Sequence, residues 1–256
     1  MREALIERAR NDERITGAAV TGSAAAGKED RWSDIDLAFG VSQGVDIKTV
    51  IEDWTAPMYR SHGAVHHVDV LAGNWTYRVF LLQNGLQVDV AFAPAAEFGA
   101  RAATFRLVFG DLGRPAISAR PSAAELIGLA WLYSLHVRSS LARGKLWQAE
   151  YMLSTARDHV LALACLRHRL PIAEGRGMDQ LPSSVKERLS IAFVGRLHPA
   201  DLVRAFAVVI EGLIVEIEAA DAELAARLAP VLRALARAAS QASRGKPVGE
   251  TSESFS

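Results

Sequence analysis

Residues 21–39 read TGSAAAGKEDRWSDIDLAF and place two carboxylates at the start of an apolar strand, just after a loop of small residues. In an extended chain, residues two apart point to the same side, so we expect Asp34 and Asp36 to share one face of the strand. Two carboxylates this close repel each other unless they share a cation. Carboxylate oxygens suit Mg²⁺, which commonly also takes oxygens from substrate phosphates. The stretch therefore predicts a metal site at the beginning of this strand.

The loop before the carboxylates is suited to binding a phosphate chain. Gly22 permits close backbone approach, Ser23 adds a hydroxyl and an amide, and no bulky side chain follows before Gly27. We include Lys28, the next residue, among the expected nucleotide contacts. A Gly-Ser pair is also typical of an ordinary turn, and Asp-x-Asp of a solvated strand end. The order of apolar strand, Gly-Ser, Asp-x-Asp and second apolar strand favours a nucleoside triphosphate site.

This order resembles the signature of the DNA polymerase β-like nucleotidyltransferase superfamily. Gly22, Ser23, Asp34 and Asp36 match that signature. The superfamily has a third carboxylate on a later strand of the same sheet, and Asp89 in the run LQVDVAF is similarly placed. The resemblance implies three carboxylates, Asp34, Asp36 and Asp89, that act in catalysis and hold Mg²⁺.

Asp89 lies in a predicted β-hairpin. Residues 76–82 and 86–92 are apolar runs on either side of Gln-Asn-Gly, and Asn-Gly is a strong hairpin signal. Because the turn and the buried face set the register, the hairpin would hold Asp89 rigidly beside the other two carboxylates. Alternatively, Asp89 has no catalytic role and is only the polar residue of a half-exposed strand. The three-carboxylate pattern favours a metal ligand or a base.

The resemblance also implies an α+β fold in two parts. We expect an N-terminal nucleotidyltransferase domain over residues 1–118, with a mixed β-sheet flanked by helices. A C-terminal α-helical bundle over 119–243 would follow, similar in layout to the second domain of small aminoglycoside or lincosamide nucleotidyltransferases. Residues 244–256 are polar, as is the chain from about Ser240, and are expected to be a disordered tail.

The helical half contains a further set of candidate residues. Ser122 and Glu125 form a capping-box pattern that predicts a helix start. In the antibiotic nucleotidyltransferases, a glutamate of the helical domain can take the proton of the acceptor hydroxyl, and the resemblance implies this role for Glu150. Lys145 and Arg157 are expected phosphate contacts. The alternative is a solvated helix face with charged pairs one turn apart.

Composition limits the classes of function. The chain has 256 residues with 29 basic and 29 acidic side chains, so it has no overall positive charge of the kind that retains nucleic acid. A single cysteine, Cys165, excludes an intrachain disulfide. The sequence opens without a basic-then-apolar leader and has no apolar run of about 18 residues, which is the length that suggests a membrane span. We therefore expect a cytoplasmic protein without a membrane partner.

These observations lead to two hypotheses. The first is an Mg²⁺-dependent nucleotidyltransferase of the adenylyltransferase type, which moves AMP from ATP, or another nucleoside monophosphate, onto a hydroxyl of a small molecule such as an antibiotic. Its partners would be a nucleoside triphosphate and a small acceptor. The second is a regulator or antitoxin with the nucleotidyltransferase fold that acts on a partner protein. The fused helical half favours the first, and the oligomeric state stays open.

Overall fold

The computed structural model describes residues 1–101, 104–116 and 120–244. It divides the chain into two compact units, Met1–Ala119 and Arg120–Ser256. The predicted tail at 244–256 lies outside the described residues, except for Arg244, which ends the last helix. The functions that the sequence assigns to the two segments stay predictions.

The first unit is built on a mixed β-sheet. Its elements are α1 (Arg2–Arg10), β1 (Ile15–Thr21), the helical turn α2 (Gly22–Ala25), β2 (Ile35–Val41), α3 (Ile47–Ser61), β3 (Ala64–Ala72), β4 (Trp75–Leu82), β5 (Gln87–Pro94) and β6 (Phe105–Gly110). The strand order is β3-β4-β5-β2-β1-β6. Strands β2 and β5 are parallel, and the other neighbours are antiparallel. The predicted Asn-Gly hairpin is confirmed as β4 and β5.

The two faces of this sheet differ in the size of their side chains. One face carries large apolar residues such as Leu37 and Phe39, which pack with α1 and α3. The alternate positions carry small residues, including Ala38 and Ala91. Asp36 belongs to this second set, because it alternates with the buried Leu37 and is two residues from Ala38. The acidic residues therefore share a face with small side chains of β1, β2 and β5 and with the aromatic Trp75 and Tyr77 of β4.

Three local predictions from the sequence are wrong. Pro57 after the run 47–54 predicts a helix that ends near the proline, but α3 continues to Ser61. Trp54 and Met58, 3% and 2% exposed, lie one turn apart on its buried face, and this packing outweighs the cost of the proline. The expected loop at Gly22 begins a short helical turn instead. The polar residues from Ser240 to Arg244 are helical rather than part of a disordered tail.

The second unit consists of helices in the described residues. They are α4 (Ala123–Ala142), α5 (Leu146–Arg167), α6 (Ser183–Ser190), α7 (Pro199–Ala220) and α8 (Ala222–Arg244). The capping box is confirmed: the Ser122 side chain accepts from the Glu125 backbone N–H, and the Glu125 carboxylate accepts from the Ser122 N–H. None of the described helices combines the length and the apolar character needed to cross a membrane. The predicted α+β class, a mixed sheet followed by helices, is confirmed.

Candidate active site

Asp36 and Asp89 lie side by side on the two parallel strands at the centre of the sheet. They are direct partners in the β2–β5 register. The buried residues around them, Leu37 at 1% and Val88 at 0% exposed, hold this register, because a slip by one residue would turn them away from the core. The structure thus brings together two of the three predicted carboxylates.

The electrostatics of Asp89 reflect this crowding. Burial raises its pKa from an ordinary 3.8 to about 7, and the negative charges of Asp36 and Asp34 add to the rise. The Oδ1 atom of Asp89 is buried and has no hydrogen-bond partner. Asp34 precedes β2 by one residue and is partly buried. An ionised Asp89 is therefore unfavourable until a positive charge or a proton balances it.

The two carboxylates suit a cation that takes its remaining ligands from water or from a substrate. Across the described residues, no group of three or more His, Cys, Asp or Glu side chains is arranged to hold a metal ion. Mg²⁺ is usually bound through one or two carboxylates together with water and substrate phosphates, not in an all-protein cage. The pair Asp36 and Asp89, with the unpartnered Oδ1 of Asp89, has that chemistry. Asp34 as a third ligand stays a prediction.

Gly22 is required by the carboxylate next to it. It has φ of +63°, and a Cβ at this position would lie 1.9 Å from Oδ2 of Asp36. Any side chain at this position would therefore displace the Asp36 carboxylate. After the helical turn, the Lys28 backbone N–H donates to the Ser23 carbonyl at 2.9 Å, which closes the loop, and the Lys28 side chain is exposed.

Sequence reasoning missed Arg2 as a neighbour of the carboxylates. Its Nη1 donates to Oε2 of Glu29 at 3.2 Å, and a second contact completes the ion pair. The hydrogen bond with Glu29 raises the pKa of Arg2, and the charge of Asp36 adds to that rise. The Nε atom is buried without a hydrogen-bond partner. Helix α1 thus brings a positive charge to Asp36, which no local motif indicates.

Tyr77 is a second neighbour that the sequence did not indicate. It faces Ala91 across the β4–β5 pair, two residues from the Val79 that faces Asp89. Burial raises the pKa of Tyr77, and the charge of Asp89 acts in the same direction. The ring stacks on Trp75, with centroids 5.9 Å apart. The stacked aromatic rings of Tyr77 and the buried Trp75 therefore lie on the same face of the sheet as Asp89.

The remaining predicted residues lie in the second unit. Glu150 Oε1 accepts a hydrogen bond from Ser154 Oγ at 2.6 Å. Lys145 is exposed where α5 begins. Arg157 is 9% exposed, and its guanidinium lies 4.3 Å from the ring centroid of Phe193. Arg157 is therefore held by packing in its own unit, whereas Lys145 is open to a ligand.

Comparisons with known proteins add a distant likeness in fold. No protein-family model matches the chain, and no curated protein matches it either. Among solved structures, the chain is similar to an aminoglycoside 6-adenyltransferase from Bacillus subtilis, with 14% sequence identity over 92% of this chain and 97% of that chain and a TM-score of 0.37. Because the likeness is this distant, we interpret the site from this chain's own residues.

Proposed function

We propose that the protein is a nucleotidyltransferase that moves a nucleoside monophosphate from a nucleoside triphosphate, ATP first among them, onto a hydroxyl of a small molecule. The observation that carries the proposal is the in-register pair Asp36 and Asp89, with a buried unpartnered oxygen on Asp89 and Gly22 packed against Asp36. Carboxylates beside an open glycine backbone suit a phosphate chain that arrives with its cation.

In this proposal each residue acts by positioning and by charge. Asp36 and Asp89 would hold Mg²⁺, with Asp34 beside them. When bound, Mg²⁺ would neutralise charge on the phosphate oxygens of the triphosphate. Gly22 and Ser23 would orient the triphosphate by their backbone, so that the acceptor hydroxyl attacks the α-phosphorus and pyrophosphate leaves. Arg2, whose pKa the charge of Asp36 helps to raise, would add a positive charge that acts on the same site.

Two residues are candidates for the base that takes the hydroxyl proton. Asp89 has a pKa of about 7, which suits a base at neutral pH, although it serves equally as a ligand. Glu150 is the second candidate, and the sequence resemblance to antibiotic nucleotidyltransferases is the only support for this role. Replacing Glu150 with Gln should lower turnover by about a hundredfold or more if it is the base, with nucleotide affinity unchanged. Near-normal turnover would assign the role to Asp89.

The decisive experiment follows the α-phosphate. We would incubate the protein with Mg²⁺, nucleoside triphosphates labelled at the α-phosphorus, and a panel of hydroxylated acceptors that includes aminoglycosides and lincosamides. We expect the α-label on one acceptor class and release of pyrophosphate. Asp36→Asn should lower the rate by at least about a hundredfold, as the loss of a preorganised charge does. Glu52→Gln, a change of an exposed carboxylate on α3, is the matched control.

Two results would refute the proposal. One is transfer of a γ-label in place of the α-label, which would indicate a phosphotransferase. The other is an Asp36→Asn variant that is as active as the Glu52→Gln control, because the carboxylate pair would then not take part in the reaction.

A further inference from the structure

Strand β3 forms an open edge of the sheet. It is nine residues long, stands first in the strand order and pairs with β4 alone among the described strands. Three of its apolar side chains are more than half exposed: Val68 at 55%, Val70 at 52% and Leu71 at 72%. Natural proteins usually protect such an edge with lysine or proline, and Ala64–Ala72 contains neither. The pairing of β3 with β4 is irregular only between Ala64 and His66, and Asp69 is the one acidic side chain of the strand. The regular stretch from His66 to Ala72 is suited to pairing with another strand.

The sequence of β3 is complementary to itself in one register. A twofold axis perpendicular to the sheet at Val68 would set Val68 opposite Val68 of the partner subunit. The same axis would set His67 opposite Asp69 of the partner subunit, and His66 opposite Val70 of the partner subunit. Directly opposite side chains interact most strongly, and an imidazole beside a carboxylate is a favourable pair. The segment His66–Val70 therefore pairs without a clash of charge.

Neighbouring registers are less favourable. An axis at Asp69 would place two carboxylates opposite each other, and an axis at His67 would do the same with two imidazoles. Like charges directly opposite destabilise a strand pair, which disfavours the axis at Asp69, and the axis at His67 loses the pairing of His67 with Asp69. If the pairing itself shifted by one residue, so that Val68 lay opposite Asp69 of the partner subunit, opposite faces of the two sheets would point to the same side. Val68 is thus the centre that the side chains select.

The polar residues of this register are already held in place. The hydroxyl of Tyr59 lies 2.7 Å from Nδ1 of His67. The guanidinium of Arg78 donates to both oxygens of Asp69, at 2.7 and 2.6 Å. The side chain of Asp69 is nevertheless 37% exposed, so it can accept a further hydrogen bond. Groups that are oriented before association lose less conformational entropy when they pair.

We propose that the protein forms a homodimer in which two β3 strands pair antiparallel about a twofold axis at Val68. The occupant of the open edge is a second copy of this chain, because the side-chain complementarity is that of β3 with itself. The sheet would continue across both subunits. Since the axis is perpendicular to the sheet, the face that carries Asp36 and Asp89 would point to the same side in both.

Cysteine cross-linking tests the register in the full-length chain. In Val68→Cys the two new thiols would be directly opposite, at a Cβ separation of about 4.5–5.5 Å, which is close enough for a disulfide after small adjustments. Val70→Cys is the matched control: it is on the same strand and similarly exposed, but its two copies would be about 13 Å apart. The native Cys165 is 0% exposed and adds little background.

With a mild oxidant such as copper phenanthroline, we expect Val68→Cys to become predominantly a disulfide-linked dimer and Val70→Cys to stay predominantly monomeric on a non-reducing gel. Equal cross-linking of both variants, or none of Val68→Cys, would overturn the register.

Sedimentation velocity tests the association itself. We expect the parent chain to sediment as a dimer, and Val68→Lys to shift it to a monomer by placing two ammonium groups opposite each other. Leu81→Lys is the matched control, because Leu81 is 50% exposed on β4, one strand in from the edge. A parent that stays monomeric at about 100 μM, corresponding to an association free energy weaker than about −5.5 kcal/mol, would overturn the dimer. So would a Leu81→Lys variant that dissociates as fully as Val68→Lys.

Discussion

Asp89 in the first unit and Glu216 in the second are both buried carboxylates, but their surroundings are opposite. Glu216 is 2% exposed and receives two hydrogen bonds from Arg167, at 2.8 and 2.9 Å. The Nη2 atom of Arg188 lies 3.6 Å from Oε1 of Glu216. Asp89 instead has a buried oxygen without a partner and two carboxylates as its nearest charges. One charge is balanced by the fold, and the other is not.

The difference separates a charge that the fold balances from one that the fold leaves unbalanced. A buried ion costs several kcal/mol of desolvation unless partners offset it. Around Glu216 the offset is built into the helices, so nothing further is needed. Around Asp89 the offset has to come from a proton or from a ligand, and strongly perturbed carboxylates of this kind are enriched at active sites. Four predictions test this contrast, from the largest expected effect to the smallest.

Removing the balanced charge should cost the most stability. Glu216→Ala would leave Arg167 without its buried partner, and we expect the free energy of unfolding to fall by about 3 kcal/mol. This is the low end for a broken buried pair, because the Arg167 side chain is 36% exposed and solvent can partly replace the lost carboxylate. Urea denaturation measures the loss. Glu211→Ala is the control, because Glu211 and Arg233 form a similar pair, at 2.9 and 2.8 Å, on an exposed surface. The control should lose no more than about 1 kcal/mol. Equal losses would mean that Glu216 is no more important than a surface pair.

Removing the unbalanced charge of Asp89 should change the free energy of unfolding in the opposite direction. The native pKa of Asp89, about 7, is above its ordinary 3.8, so the native state binds this proton more tightly than the unfolded state does. The stabilisation is complete below about pH 4 and is lost as the pH rises to about 7. Between pH 5 and pH 8, without divalent cations, the parent should therefore lose about 3 kcal/mol more stability than Asp89→Asn. Parallel pH profiles of parent and variant would contradict the raised pKa.

A cation with its nucleotide should restore the balance. We expect Mg²⁺ with ATP to raise the melting temperature of the parent, by an amount that corresponds to about 2.7 kcal/mol at a hundredfold excess over Kd. Asp36→Asn should lose most of this gain while being equally or more stable without ligand, since one of two repelling charges is removed. Thermal melts with and without Mg²⁺-ATP give both numbers. The same increment in parent and variant would show that the carboxylate pair is not the metal site.

The smallest effect separates backbone strain from crowding of the carboxylate. Gly22 and Gly27 both have positive φ, +63° and +65°, so alanine at either position costs about 1–2 kcal/mol. A Cβ at Gly27 meets no atom within 4 Å, whereas at Gly22 it meets Asp36. Gly22→Ala should therefore cost about 1 kcal/mol more than Gly27→Ala, and it alone should weaken Mg²⁺-ATP binding in calorimetry. Equal binding by both variants would exclude Gly22 from the phosphate site.

Local patterns in the sequence were sufficient for much of the fold. Apolar runs predicted β2 and β5, and Asn-Gly predicted the hairpin that joins β4 and β5, because apolar runs and turn chemistry are properties of neighbouring residues. The capping box at Ser122 is local in the same way. The prediction of a helix end at Pro57 is wrong for the complementary reason: the burial of Trp54 and Met58, which continues the helix, depends on distant parts of the chain.

The sequence and the tertiary structure each determined part of the chemistry of the candidate site. The sequence alone supplied the acidic residues and the glycine, since residue type and spacing are written in it. Only the tertiary structure placed Asp36 directly beside Asp89, raised the pKa of Asp89 to about 7, and brought Arg2 from the first helix towards Asp36. These properties arise from burial and from contacts between residues far apart in the chain, and a charge's environment is set by whatever the fold packs around it.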